Sequence, residues 1–426
     1  MSSSYDILII GAGPAGIAAA VAAARANGNV GLIDDNPAPG GQIWRQDASH
    51  DRQHEAERWL TQLNAASVER QQGCHVFDSP SPGILHAERE GRVSTLRYKK
   101  LILATGARER FLPFPGWTLP NVMGAGALDA FVKGGLPIVD KVVVVAGTGP
   151  LLLAVAAHLA RRGARIAAIC EQTTMSRMLP FLATLLREPA KIAQGWRYRT
   201  QLRGAGFHTG SWVVAARGVD RLESVVISSG RRQRTIVCDY LACGFHLVPN
   251  VELPALLGCQ IRDGFVVVDD LQRTSVDNIF CAGEPTGIGG VDMALLEGQI
   301  AGLASAGSLA EARDLARQLI GMRRFAQAMR KAFILRPELR TLASDDTMVC
   351  RCEDVPFSAL HGCASWREAK LHTRCGMGPC QGRICGAATE FLFGWGADSV
   401  RPPVFPALLS SLAAASQPDD VPTEAQ

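Results

Sequence analysis

Two groups of residues in this chain have types and spacings that could do chemistry. The first is a crowd of cysteines. Of twelve in 426 residues, five fall between Cys350 and Cys380, and Cys385 follows closely. Thiolates are the natural ligands of iron–sulfur iron, and a rhombic two-iron cluster takes four of them. A pair from one loop and a pair from a second, separated by a short helix, can enclose such a cluster; a structural zinc site is the plainer alternative. The second group is Gly11-x-Gly13-x-x-Gly16, followed by Asp34. In a strand–turn–helix setting, Gly11 permits the tight turn, Gly13 lets backbone approach a pyrophosphate, and Gly16 lets helix and strand pack closely. The helix N-terminus then faces the phosphate charge, and Asp34 can accept hydrogen bonds from ribose hydroxyls.

A second turn, Gly147-Thr148-Gly149-Pro150, repeats the plan with Leu152 in place of the third glycine. Glu171 stands where a ribose-binding acid belongs. A Glu with no Arg after it favours a 2′-hydroxyl over a 2′-phosphate. From the residues, this unit either binds an adenine nucleotide, reactive or inert, or has kept the shape and lost the ligand. No catalytic residue can be named. The nine histidines lack metal-ligand spacing, and His158 and His246 read as core. Cys74, Cys170, Cys238, Cys243, Cys259 and Cys281 are scattered in mostly apolar settings and also read as core. Cys238 and Cys243 are spaced Cys-x4-Cys, yet they sit at the predicted end of the second unit, so a redox pair is not expected. Arg108 and Arg110 follow Thr105-Gly106, but no spacing ties either to a second group that would complete a substrate pocket.

The elements that must position these residues are legible. Tyr5 to Ile10, Ala15 to Arg25 and Val30 to Ile33 read as strand, helix and strand. Lys141 to Ala146, a helix to Arg162, and Arg165 to Ile169 repeat that order, an internal duplication. Leu101 to Gly106 reads as a buried strand ending in a small polar turn, and Asn278 to Glu284 as another. Residues 310–335 have the apolar spacing of an amphipathic linker helix, with Leu315, Leu319, Met322, Phe325 and Met329 on one face. The tail after Pro402 ends acidic, and its last dozen residues are expected to be mobile. Apolar residues make up 47% and charged residues 20%, which excludes disorder. The net charge of +4 is spread without a basic, aromatic-laced stripe, so no nucleic-acid partner is expected. Val142 to Ala160 carries no formal charge, but its Gly-Thr-Gly-Pro break argues against a transmembrane span. The polar Met1 to Asp6 does not read as a secretory signal, and cytoplasmic residence is expected.

Gly11 to Gly16, Pro39-Gly40-Gly41-Gln42, Ala104-Thr105-Gly106 and Ala282-Gly283-Glu284 resemble the corresponding motifs of glutathione-reductase-like flavoproteins. The resemblance implies FAD in the first site, contacted by Gly11, Gly13, Pro14, Ala15, Gly16, Asp34, Gly41, Gln42, Val76, Thr105, Gly106, Gly283 and Glu284. Gly147, Gly149 and Glu171 would serve the second site. The usual acid after the last Ala-Gly is Asp, and this chain has Glu284. Cys350-Arg-Cys352 followed by Gly376-Met-Gly378-Pro-Cys380-Gln-Gly-Arg-Ile-Cys385 resembles the bacterioferritin-associated-ferredoxin (BFD)-like domain, which binds [2Fe-2S]. That implies Cys350, Cys352, Cys380 and Cys385 as ligands, Cys375 as a spare and Cys363 as packing.

Taken whole, the chain resembles the α (B-type) subunits of opine oxidase, hydrogen cyanide synthase and D-hydroxyproline or dye-linked proline dehydrogenases. Asp34 to Gln42, Gly149 to Ala154, Gly283 to Met293 and Cys350 to Cys385 carry the likeness. The implied fold class is α/β: two Rossmann-like dinucleotide-binding domains plus a small C-terminal BFD-like iron–sulfur domain. The expected boundaries are residues 1–120 with 245–310 for FAD, 121–244 for the second domain, 311–345 for a helical linker, 346–396 for the cluster domain and 397–426 for a tail. The implied function is electron transfer within a heteromeric amino- or imino-acid dehydrogenase. A flavoprotein β subunit oxidises the substrate and passes electrons to this chain. The resemblance also admits FMN at a subunit interface, a small ferredoxin-like third subunit, and peripheral contact with a membrane through the acceptor. The alternatives are a self-sufficient NADH-dependent FAD reductase and a cluster-based sensor or iron-storage accessory.

Overall fold

The computed structural model describes residues 2–26, 28–44, 53–186, 188–202, 204–396 and 400–416. The expectation of a mobile end concerns residues that, from 417 on, lie outside these. Strands Ser2–Ile10, Val30–Asp34, Val68–Gln72, Arg92–Leu103 and Ile279–Cys281 form a parallel sheet with Ser2–Ile10 at its centre. The antiparallel pair His75–Ser81 and Ile84–Arg89 extends it from the first half of Arg92–Leu103. The second half of the central strand, Ile7 to Ile10, is an unbroken apolar run because both of its faces are covered, while Ser2, Ser3, Ser4 and Asp6 stay exposed or half-buried. Ile7 and Ile9 pack, with Leu32 and Ile102, on helices Pro14–Ala23 and Val291–Ser305. Leu8 and Ile10 pack the other way, with Ile33, Leu101 and Leu103.

Small residues bring those two helices together. A Cβ at Gly298 would lie 2.1 Å from the Ala15 carbonyl oxygen, and one at Gly302 would lie 2.4 Å from that of Ala19. The N-terminus of Val291–Ser305 is thereby held beside the first glycine turn.

The second sheet is parallel throughout. Strands Val142–Thr148, Arg165–Glu171, Gly206–Thr209, Tyr240–Phe245 and Val122–Gly124 build it, again with the strand before the glycine turn at its centre. Four strands of the two sheets correspond in order, so the duplication read from two glycine turns extends well beyond them; the fifth differs, since Ile279–Cys281 follows the other strands of its sheet and Val122–Gly124 precedes those of its own. A three-stranded antiparallel sheet, Trp212 to Val237, packs on the second one. The short ribbon of Ala107–Glu109 with Leu247–Pro249 joins the two units. Helix Leu309–Ala332 then leads to the cysteine-rich segment. That segment has a small core of its own, including Val349, Leu360, Trp366 and Ala369. Among the described residues, no helix is long and apolar enough to cross a membrane.

Candidate functional site

In the first turn the three glycines meet different surroundings. A Cβ at Gly11 would fall 2.2 Å from the Ala104 carbonyl oxygen, and one at Gly16 would fall 1.7 Å from that of Gly11. These two are glycine because backbone crosses backbone. Gly13 faces open space, its nearest neighbour being the Gly41 Cα at 4.0 Å. The Gly40 amide donates to the Ala12 carbonyl at 2.8 Å, and a Cβ at Gly41 would fall 3.0 Å from the Gly13 Cα, so the two glycine backbones lie side by side. Two bare backbones side by side at a helix N-terminus make a surface of the kind on which a pyrophosphate lies. Asp34 is buried and turned toward the loop: its Oδ2 accepts the Ala12 amide, and its Oδ1 accepts the Asn36 amide at 2.7 Å. The turn before Val76 is tied to the same corner, with the Cys74 amide 2.9 Å from the Asp34 carbonyl, and Val76 is buried there. Gln42 is exposed.

Against this turn lie Thr105-Gly106 and Gly283-Glu284: a Cβ at Gly11 would fall 3.5 Å from the Thr105 nitrogen, and one at Gly283 would fall 2.9 Å from the Ala15 Cβ. The Glu284 Oε1 accepts the Gly290 amide at 3.3 Å, while its buried Oε2 has no partner. Burial, with the nearby Glu297 charge added, pushes the Glu284 carboxyl up to about 7, although the Gly290 bond works the other way. Glu in place of the usual Asp thus leaves one buried polar atom without a partner, which a hydroxyl of a flavin ribityl chain, donor and acceptor both, can satisfy. Glu297, which spacing did not single out, accepts the Gly283 amide and the Thr286 hydroxyl, both at 2.9 Å.

The second turn repeats the clasp between acid and loop. Glu171 accepts the Gly149 amide and the Thr173 amide, each at 2.7 Å. Gly147 is needed for packing, since a Cβ would fall 1.9 Å from the Gly244 carbonyl oxygen. Leu152 is buried against Gly244, where the missing third glycine would be. Cys238 and Cys243 are buried in this unit, and burial drives both thiols upward, Cys238 to about 12, which leaves them far from reactive thiolates. His158 is buried but not idle: its Nδ1 pairs with Asp129, which also binds Lys133 at 2.8 Å.

The clustered cysteines fall into two sets. The sulfurs of Cys350, Cys375 and Cys385 lie within 4.8 Å of one another, and all three residues are buried. Cys352 and Cys380 form a second hydrogen-bonded pair that is less buried. Cys375, set aside as a spare by sequence, therefore stands in the buried set. Backbone amides point at these sulfurs: Gly376 donates to the Cys350 Sγ at 3.5 Å. Burial raises the Cys380 thiol, but the Ile384 amide, the Cys352 side chain and the amides of Gly382 and Arg383 together hold it below its usual range. A converging set of sulfurs cradled by N–H groups is the donor chemistry of an iron–sulfur site. Glycine makes the approach possible. A Cβ at Gly378 would meet the Cys352 Cβ at 2.4 Å, and one at Gly376 the Trp366 ring at 2.5 Å. Cys363 packs against the core of the segment.

A chain of polar contacts links the two sites. The Thr105 hydroxyl donates to the Asn250 carbonyl at 2.7 Å, and the Asn250 side chain donates back to the Thr105 carbonyl at 2.8 Å. Arg108 donates to the Asn250 Oδ1 at 2.8 Å and pairs with Glu252 at 2.9 Å. Its Nε donates to the Arg383 carbonyl at 3.1 Å, inside the Cys380–Cys385 loop. Arg110 reaches Glu390 at 3.7 Å. Asn250 escaped sequence reasoning because its partner is 145 residues away.

Residues 5–298 match the pyridine nucleotide-disulphide oxidoreductase family. The A-type component of opine oxidase from Agrobacterium tumefaciens (strain Ach5) is 31% identical over 97% of this chain and 92% of that protein. The HcnB subunit of hydrogen cyanide synthase from Pseudomonas aeruginosa is 30% identical over 89% of this chain and 90% of its own length. Among solved structures, L-proline dehydrogenase from P. horikoshii superposes with a TM-score of 0.66 at 20% identity, covering 96% of this chain and 80% of that one. Thioredoxin reductase from T. acidophilum gives 0.56 at 19% identity, over 72% of this chain and 98% of its own. These two share the mixed α/β dinucleotide-binding flavoprotein fold. The chain therefore belongs to the pyridine nucleotide-disulphide oxidoreductase family and, within it, to the flavin-dependent oxidoreductases that include the A-type subunits of opine oxidase and the HcnB subunits of hydrogen cyanide synthase.

Proposed function

We propose that this chain is the electron-transferring subunit of a cytoplasmic, heteromeric dehydrogenase acting on CH–NH or CH–NH2 donors of the opine, D-hydroxyproline, proline or glycine type. A partner flavoprotein oxidises the substrate. Bound FAD supplies two-electron acceptance and a two-iron cluster supplies one-electron transfer. The cradle of Gly13 and Gly41, with Asp34, Thr105 and Glu284 around it, holds FAD. Cys350, Cys352, Cys380 and Cys385 hold the cluster, with Cys375 beside them.

The observation that carries this reading is the bridge at Arg108. One guanidinium joins the clasp on the Thr105 turn to the Cys380–Cys385 loop. A fold that fixes its flavin-side turn against its cysteine loop supports electron passage between them. The same bridge uses up a cation that a substrate carboxylate would need. Two relatives are named as subunits, of opine oxidase and of hydrogen cyanide synthase, which supports a partner chain.

The test is reconstitution. With proline, hydroxyproline or an opine, the purified chain alone should reduce dyes at background rate. Coexpression with the β-type flavoprotein of its own organism should restore turnover. In that complex Arg108→Ala should keep flavin and iron contents yet slow turnover about tenfold, the scale of losing one charged hydrogen bond. Arg108→Lys should recover part of the rate. Robust dehydrogenase activity from the single chain would overturn the proposal.

A further inference from the structure

The two dinucleotide units are built alike, so each serves as a control for the other. In both, the acid at the end of the second strand clasps the glycine loop: Asp34 takes the Ala12 and Asn36 amides, and Glu171 takes the Gly149 and Thr173 amides. That clasp does not distinguish them. What does is the segment Phe333–Arg336, which follows helix Leu309–Ala332. It lies across the carboxyl ends of the second sheet, the crevice where this class of fold binds its ligand.

Contacts occur at three strand ends in turn. At the end of Arg165–Glu171, the Gln172 side chain donates to the Ile334 carbonyl at 3.2 Å and accepts the Arg336 amide at 3.0 Å. The Arg336 guanidinium reaches the Gln172 carbonyl at 3.4 Å and lies over the Trp212 ring, 3.6 Å from its centroid. At the end of Val142–Thr148, the hydroxyl of Thr148, the middle residue of the glycine turn, lies 3.4 Å from the Phe333 carbonyl oxygen. At the end of Tyr240–Phe245, the His246 Nε2 is 2.6 Å from the same oxygen. His246 has a φ of +73°, a conformation uncommon outside glycine. The Phe333 ring packs edge-on against Phe181, with centroids 5.4 Å apart. An extended dinucleotide would run along this same line, from the second strand past the first to the fourth.

We infer that the second dinucleotide unit has exchanged its nucleotide for the chain's own linker: the crevice anchors Phe333–Arg336, which fixes where the cysteine-rich segment begins, and the protein neither binds nor oxidises a nicotinamide nucleotide there. The inference does not depend on the electron-transfer role, since a chain of either activity could carry the plug.

The purified full-length chain with its bound cofactors should show no saturable binding of NADH, NADPH or ATP in equilibrium dialysis up to about 1 mM, the upper end of ordinary KM values. NADH should leave its flavin absorbance unchanged. Gln172→Ala should free the linker and speed tryptic cleavage between Arg330 and Arg340 about tenfold, with flavin content unaltered. Arg336→Ala should do the same by a separate set of contacts. Saturable binding of any of the three nucleotides to wild type, bleaching by NADH, or unchanged cleavage in both variants would overturn the inference.

Discussion

At the scale of the residue, the same amino acid answers different demands a few positions apart. Gly13 and Gly16 both belong to the first turn, yet a side chain at Gly13 meets nothing nearer than 4.0 Å while one at Gly16 drives into backbone at 1.7 Å. Gly13→Val should therefore fold and come off the column colourless, because its side chain fills the space proposed for pyrophosphate. Gly16→Ala should instead lose soluble protein, because backbone has to move. Flavin absorbance per folded chain separates the two outcomes, and equal flavin in Gly13→Val and wild type would reject the cradle. Glu297 offers a test in pH. Burial lifts its carboxyl from an ordinary 4.5 to about 7, against hydrogen bonds from Thr286 and Gly283 that lower it. Between those two values the folded state binds more protons than the unfolded chain, so stability falls as pH rises through the window. Glu297→Gln keeps an acceptor for both bonds and removes the charge. In flavin-free protein it should gain about 1–3 kcal/mol over wild type at about pH 8 and nothing below about pH 4.5. Denaturant titrations at the two ends of the range decide it.

At the scale of the element, the cysteine-rich segment works through loops that short helices hold in place. Helix Trp366–Thr373 starts at a Ser365 cap that accepts the Glu368 amide, and it stops where Arg374 turns left-handed at a φ of +64°. The reversal delivers Cys375 toward Cys350, and Cys385 arrives as the first residue of helix Cys385–Phe393. Three sulfurs thus converge, with the Cys352–Cys380 pair as the second set, which makes five candidates for a cluster that takes four. Single Cys→Ala changes at Cys350, Cys352, Cys380 and Cys385 should each lose most of the iron and acid-labile sulfide, while Cys375→Ala should keep them. Retention at Cys385 with loss at Cys375 would transfer the ligand role to Cys375. Zinc without sulfide in the wild type would reject the cluster.

At the scale of the whole molecule, three folded parts share few but specific joints. The Trp117 indole donates to the Met348 carbonyl at 2.6 Å, and the Arg340 guanidinium to the Phe391 carbonyl at 3.1 Å; Trp117 and Leu339 are buried in the core of the second unit, so the cysteine-rich segment sits on that unit. Arg108 ties it to the first. Both joints use charged or aromatic donors on backbone carbonyls, which fix orientation without demanding a large apolar interface. The second unit, whether or not its ancestor bound a nucleotide, is a platform in this arrangement. Its sheet carries the linker on one end and the cysteine-rich segment beside it.

The dinucleotide turns, their strands and the alanine-rich first helix were legible in the sequence because each is a short-range pattern. A strand, a glycine spacing and a helix start occupy a dozen residues, and local sterics dictate them. The cysteine crowd was legible for the same reason. Which sulfurs meet was not, since Cys375 enters the buried set through a helix reversal whose outcome depends on packing against Trp366. Nor could spacing show that Glu171 and Asp34 turn inward to their own loops, or that Arg108 finds Asn250, 142 residues on. The fate of the second crevice was the furthest out of reach. Thr148 and Phe333 are 185 residues apart, and both alternatives left open by the glycine turn produce the same local sequence. Only the folded chain decides between them, because occupancy of a crevice belongs to whatever packs into it.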